Sequence, residues 1–183
     1  PPTIQYIKAF CNLQTDGVPC RPVAGPTNSK LSNISSVTPK IGALSSINLS
    51  ERCINPIAYN KNLGGYFFDG NKVYSPDATS VTYQQLAIRH TINYIKKKLY
   101  LLSSKLAYSV NANLARTEFT GQATAILDPL KVNSYIYGYK IIVSSSTADI
   151  QNGIINATVS VFPTPAVEAI VINLKITNNE TDV

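Results

Sequence analysis

The chain is 183 residues long, 44% hydrophobic and 14% charged, with a formal net charge of +6. That length suits one domain with a substantial core, and the composition excludes an intrinsically disordered chain. No apolar run reaches the about 18 residues of a membrane-spanning helix and no signal-peptide pattern opens the chain, so a soluble domain without membrane insertion is expected.

Residues 1–44 are rich in Pro, Gly, Ser and Asn, with Pro19, Pro22, Gly25, Pro26, Pro39 and Gly42 as punctuators. They predict a long irregular segment wrapping a core. The absence of Met and the Pro1-Pro2 opening predict a piece of something longer.

Residues 45–183 read as the folded domain. Ser45, Ser46 or Ser50 can cap a short helix carrying Leu49, Cys53 and Ile54. Two short strands follow at 54–59 and 65–68, joined by a turn from Asn60 to Gly64, with another turn at 70–76. Ile88, Ile92, Ile95, Leu99, Leu102 and Leu106 then recur at spacings alternating between four and three. This stripe predicts an amphipathic helix over 83–106, starting just after Thr82, with Lys96, Lys97, Lys98 and Lys105 toward the end that favours cations. It is too short, and too poor in regular charge pairing, for a coiled coil.

A second helix is expected at 115–128, with Phe119, Ala123, Ile126 and Leu127 on one face, Asn113 as cap and Pro129 blocking continuation. In the strand at 135–143, Tyr135, Tyr137, Tyr139, Ile141 and Val143 fall on one face. Ile155, Ala157, Val159 and Val161 alternate with polar residues in the next strand, which Pro163 and Pro165 end. Ile170, Ile172, Leu174 and Ile176 alternate again near the end. Two main helices packed on a mainly antiparallel sheet, in separate runs along the chain, make an α+β fold.

The chemistry-bearing residues form no recognisable constellation. Only four Arg are present (Arg21, Arg52, Arg89, Arg116), and the one basic cluster, Lys96-Lys97-Lys98, reads as a solvated helix face or a contact for an acidic protein. Nucleic acid is not an expected partner. Cys11, Cys20 and Cys53 fit neither a zinc pattern nor a paired framework, and read as reduced thiols, with a Cys11–Cys20 disulfide as the alternative. Sequons at Asn33, Asn48, Asn156 and Asn179 are what chance gives in a chain this rich in Asn, Ser and Thr.

His90 stands alone, without a nucleophile elbow elsewhere, and the ten carboxylates are scattered singly. Phosphate-cradle, dinucleotide and metalloprotease motifs are absent, and Gly64-Gly65 reads as a turn. No catalytic residue, metal ligand or cofactor is therefore predicted. Two other classes compete: a surface adhesin or receptor-binding module, marked by a cleft lined by Tyr135, Tyr137 and Tyr139, and a hydrolase built on two carboxyls facing each other across a cleft.

From about residue 53 onward, a series of phrases in fixed order resembles the C-terminal core domain of contractile phage tail sheath proteins. Cys53-Ile54-Asn55-Pro56-Ile57 leads to Gly64-Gly65-Tyr66-Phe67-Phe68 and Thr79. Ala87-Ile88-Arg89-His90 opens a helix, and Asn111 through Arg116 and Phe119 enter the next. Ile136-Tyr137-Gly138-Tyr139-Lys140-Ile141, then Asp149-Ile150 to Gly153, and Pro165-Ala166-Val167-Glu168-Ala169-Ile170 complete the series. Residues 1–44 match only near Asp16-Gly17-Val18 and Pro22-Val23-Ala24-Gly25.

The resemblance implies a non-enzymatic structural subunit of a virion tail or related bacterial injection device, assembled in the host cytoplasm. Such subunits stack around a tail tube between baseplate and tail terminator, and contract to drive the tube through the host envelope. Their terminal arms join sheets in neighbouring subunits. On this basis Ile170, Ile172, Leu174 and Ile176 are expected to form the last core strand or an intersubunit arm strand, and Lys96, Lys97 and Lys98 to face the tube. The family's N-terminal strand and insertion domains are not among these residues, so the isolated piece is expected to stay monomeric.

Overall fold

The computed structural model describes residues 1–14, 17–74, 81–109, 112–144, 146, 149 and 152–168. Its elements are helices α1 (Pro2–Leu13), α2 (Gly25–Asn28) and α3 (Ala43–Glu51) and strands β1 (Ile57–Asn60) and β2 (Gly65–Phe68). A 3-10 turn at Val81–Gln84 leads to helices α4 (Leu86–Leu106) and α5 (Ala112–Val132), and strands β3 (Ile136–Ser144) and β4 (Asn156–Pro163) complete the order. The fold is α+β as expected, and its strands pair antiparallel, but in two separate two-stranded sheets, β1–β2 and β3–β4. The strand expected near the end, with Ile170, Ile172, Leu174 and Ile176, lies outside the described residues.

The N-terminal segment is more regular than its composition indicates. Tyr6, Ala9, Phe10 and Leu13 repeat at helical spacing, and Pro2 occupies the first turn of α1, where a missing N–H costs nothing. The α1 helix lies on the body through aromatic contacts. The Tyr6 ring meets Phe68 edge-on at 5.5 Å, and Phe10 lies 5.2 Å from the His90 ring. Further along, Lys30 bridges Phe67, and the Leu31 N–H donates to Tyr66 O at 2.8 Å, so this stretch borders β2. The buried Ser29 hydroxyl donates to Phe68 O and accepts from Phe68 N–H, both at 3.1 Å. The segment thus wraps the core by backbone pairing as well as by contact.

The expected serine caps do not form. The α3 helix starts after Gly42, and Ser46 instead donates its hydroxyl to Asp69 at 2.6 Å. The turn between β1 and β2 is built as read: Gly64 adopts φ +92° and Gly65 φ +115°, a region that disfavours residues with a Cβ.

The core lies where α4 and α5 cover one face of β3–β4. Ile95, Leu127, Leu130, Ile136 and Cys20 form one buried cluster; Leu102, Phe119 and Ala123 form the next along the same seam. Ile141 and Val159 pack against both clusters. The α5 helix departs from expectation at both ends. It begins at Ala112, so Asn113 is inside it and accepts from Arg116 at 2.8 Å instead of capping. It also runs through Pro129 to Val132. Pro129 forfeits one N–H bond to the preceding turn, but Leu127 and Leu130 on either side are 0% and 2% exposed. Burying those two leucines outweighs one missing hydrogen bond on the outer face.

Candidate functional site

Three places could carry function: the outer face of α4, the β3–β4 pair with the chain leaving it, and a groove beside α3.

On α4, the stripe of Ile88, Ile95 and Leu102 turns inward, and this leaves Lys96, Lys97 and Lys98 exposed on the solvent side. The Lys98 ammonium sits 5.4 Å from the centre of the Tyr94 ring, within cation–π range. Tyr100 is also exposed on this helix. The result is a positively charged, partly aromatic surface fixed to a rigid element.

In β3–β4 the pairing shifts between Ile136 and Gly138: Ile136 pairs with Pro163 and Gly138 with Phe162, leaving Tyr137 as the extra residue. This bulge breaks the expected one-face row of tyrosines. Ile136 and Tyr139 both turn toward the core, whereas Tyr137 is exposed and meets the Phe162 ring at a tilt, 5.2 Å between centres. Tyr139 donates its hydroxyl to Asp128, and that bond raises its pKa above the ordinary tyrosine value. Tyr135 accepts from Arg21 Nε at 3.0 Å. Tyr135 and Tyr139 thus pack against the core, and Tyr137 stands apart on the exposed face, so the three do not form one row. Between the strands, Asp149 accepts from the Ser146 N–H at 2.8 Å and from Asn156 at 3.0 Å. These bonds hold its carboxyl below the usual range, chiefly through the Ser146 N–H.

The groove, about 990 Å³, is lined by α2, α3, residues 69–72, the start of α4 and residues 164–168. Of its three carboxylates, Glu51 is exposed at the end of α3, whereas Asp69 accepts from Ser46 at 2.6 Å and Glu168 pairs with Lys72 at 2.6 Å. The latter two thus hold structure together. His90 is half-buried against Phe10, and burial alone lowers its pKa. Among the described residues no cluster of His, Cys, Asp and Glu could hold a metal ion, and no helix is long and apolar enough to cross a membrane. Cys11 is exposed and Cys20 buried, and both are thiols, so the alternative of a disulfide between them does not form.

Sequence reasoning placed the Lys cluster correctly on an exposed helix face. It missed Gln85 and Asn71, buried polar residues at the head of α4. No spacing rule marks either residue, because each bonds backbone of another segment: Gln85 that of Ala166, and Asn71 that of Ala87.

No protein-family model and no curated protein matches this chain. Solved structures do match it in fold. A chain of the baseplate of the anti-feeding prophage superposes with a TM-score of 0.78 at 16% identity, over 97% of this chain and 50% of its own. A chain of the contracted PVC sheath complex, from an extracellular contractile injection system, gives 0.68 at 14% identity, over 80% of this chain and 43% of its own. A chain of the contracted helical sheath of the anti-feeding prophage gives 0.63 at 16%, over 81% and 43%. The chain has the fold of these contractile-particle proteins and spans about half of their length or less.

Proposed function

We propose that the chain is part of a structural, non-enzymatic sheath subunit. It polymerises around a tail tube and contracts to drive the tube through a host envelope. The observation that carries this reading is the fold likeness over 97% of the chain to a contractile-particle baseplate chain, repeated over 80% and 81% in two contracted sheaths. The ordered sequence phrases from residue 53 onward support it independently of the superposition. The engagement of Asp69 and Glu168 in structural bonds favours a mechanical role over hydrolysis. The dispersal of Tyr135, Tyr137 and Tyr139 argues against an adhesin cleft.

In this reading the α4–α5–β3–β4 body moves as a near-rigid unit in the tail of a virion or related injection particle. Its partners are neighbouring subunits, the tube, the baseplate and the tail terminator. Electron microscopy of the complete gene product that contains this chain is the test. Regular tubes are expected; dispersed particles without tubes under assembly conditions would overturn the reading.

Within it, the Lys96, Lys97 and Lys98 face grips the tube, since charge complementarity suits a contact that must later release. Replacing all three by Glu is expected to leave folding intact, because all are exposed, and to loosen the extended sheath from its tube. The salt dependence of attachment should weaken or reverse. An extended sheath equally stable across salt concentrations would remove these lysines from the contact.

A further inference from the structure

Two side-chain amides act as substitute rungs of a strand ladder. Asn55 Nδ2 donates to Lys72 O at 2.8 Å, while its Oδ1 accepts from the Lys72 N–H at 2.8 Å. Gln85 does the same to Ala166: Nε2 donates to Ala166 O at 3.2 Å, and Oε1 accepts from the Ala166 N–H at 2.8 Å. A primary amide offers the same donor and acceptor as a peptide group, so each pairing reproduces one two-bonded step of β-structure. The two steps are joined, because Lys72 and Gln85 form an antiparallel bridge. Val73 N–H donates to Gln84 O at 2.7 Å, and Leu86 N–H to Asn71 O at 2.8 Å, on either side of that bridge. The Lys72 ammonium then reaches Glu168 at 2.6 Å.

This arrangement follows a corner poor in backbone donors. Pro163 and Pro165 carry no N–H, and Thr164 is tied by its N–H to Tyr135 O at 3.2 Å. Ala166 has the first N–H after Thr164, and Gln85, which is 5% exposed, takes both of its backbone groups.

We propose that Gln85, supported by Lys72, is a clasp that fixes the root of the C-terminal segment to the head of α4. Residues 163–168 then belong to the rigid body, and any swing of the following chain pivots beyond Glu168, not at the proline corner. One extension rests on the function proposed above. Tension carried by the C-terminal segment would enter the body at the Glu168–Lys72 pair and at Gln85, and pass through Lys72 to Asn55.

Residue-resolved hydrogen exchange on this chain tests the clasp without any assembly step. The Ala166 amide should be protected in the unaltered protein, and Gln85→Ala should cut that protection by about tenfold or more, with α5 amides unchanged. Should Gln85→Ala also strip protection from α5, Gln85→Glu decides. The ionised carboxyl keeps the acceptor but loses the donor, so protection falls partway near neutral pH. It should recover as the carboxyl protonates on acidification, with α5 amides as the internal reference for intrinsic exchange. A freely exchanging Ala166 amide in the unaltered protein, unchanged protection in Gln85→Ala, or a pH-independent Gln85→Glu would overturn the clasp. Protection that follows this pattern in a protein that forms no tubes would keep the clasp and discard the force path.

Discussion

Replacing Leu127 by Ala is expected to destabilise the chain by about 2–5 kcal/mol, the range for a large-to-small change at a fully buried site. Leu127 is 0% exposed and sits in the cluster of Ile95, Leu130, Ile136 and Cys20, where both long helices meet β3. The cavity has little freedom to collapse, because the cluster's walls come from α4, α5 and β3 together. For a domain of this size the melting temperature should fall by roughly 6–15 °C. Leu101→Ala is the control: Leu101 is 48% exposed on α4, and its loss should cost within about 0.5 kcal/mol. A Leu127→Ala effect no larger than the control would show that this seam is not what holds the body rigid. A near-rigid subunit needs such a seam, so the same measurement bears on the mechanical reading.

The seam was legible because long helices advertise themselves. Ile88, Ile95 and Leu102 and, on the next helix, Phe119, Ala123 and Leu127 repeat at helical spacing, and each is buried. The alternation of Val159 and Val161 likewise marked the inward face of β4. What escaped were features decided by tertiary contact. Pro129 ought to end a helix by local rules, yet burial of Leu127 and Leu130 carries the helix past it. The period-2 pattern at 135–143 is regular in sequence, but one extra residue at Tyr137 puts Ile136 on the core face in its place. The Tyr6, Ala9, Phe10 and Leu13 repeat was present but lay inside a Pro- and Gly-rich stretch whose composition outvoted it.

The site was less legible than the fold for a physical reason. Charge clusters such as Lys96-Lys97-Lys98 are local and can be read directly, whereas a clasp joins Asn55, Lys72, Gln85 and Ala166 across more than a hundred residues. Asn and Gln side chains bonded to distant backbone leave no spacing rule in the sequence.

Truncation after Glu168, applied to the complete gene product, is expected to abolish tubes while leaving the monomer folded. The deletion removes Ile170, Ile172, Leu174 and Ile176, the proposed arm strand, and spares Gln85, Lys72, Ala166 and Glu168. Among the described residues β3 and β4 each pair on one side only, so each has an edge open to strand addition. An added strand running along the eight residues of β4 would form roughly four to eight main-chain hydrogen bonds, each worth about 0.5–1.5 kcal/mol net. Alternate apolar side chains add about 1.5–3 kcal/mol for each one fully buried, against an association cost of about 4–15 kcal/mol. One such contact is therefore modest, and it becomes decisive when every subunit in a helical array donates and receives one. Main-chain bonds also suit a joint whose bodies rotate, because they do not depend on the side-chain packing that rotation disturbs. Circular dichroism should show an unchanged fold, and the melting temperature should stay within about 3 °C of the parent. Tubes of normal yield after truncation would reject the arm. A truncated chain that fails to fold would reject it too, by making the segment an internal strand of its own domain.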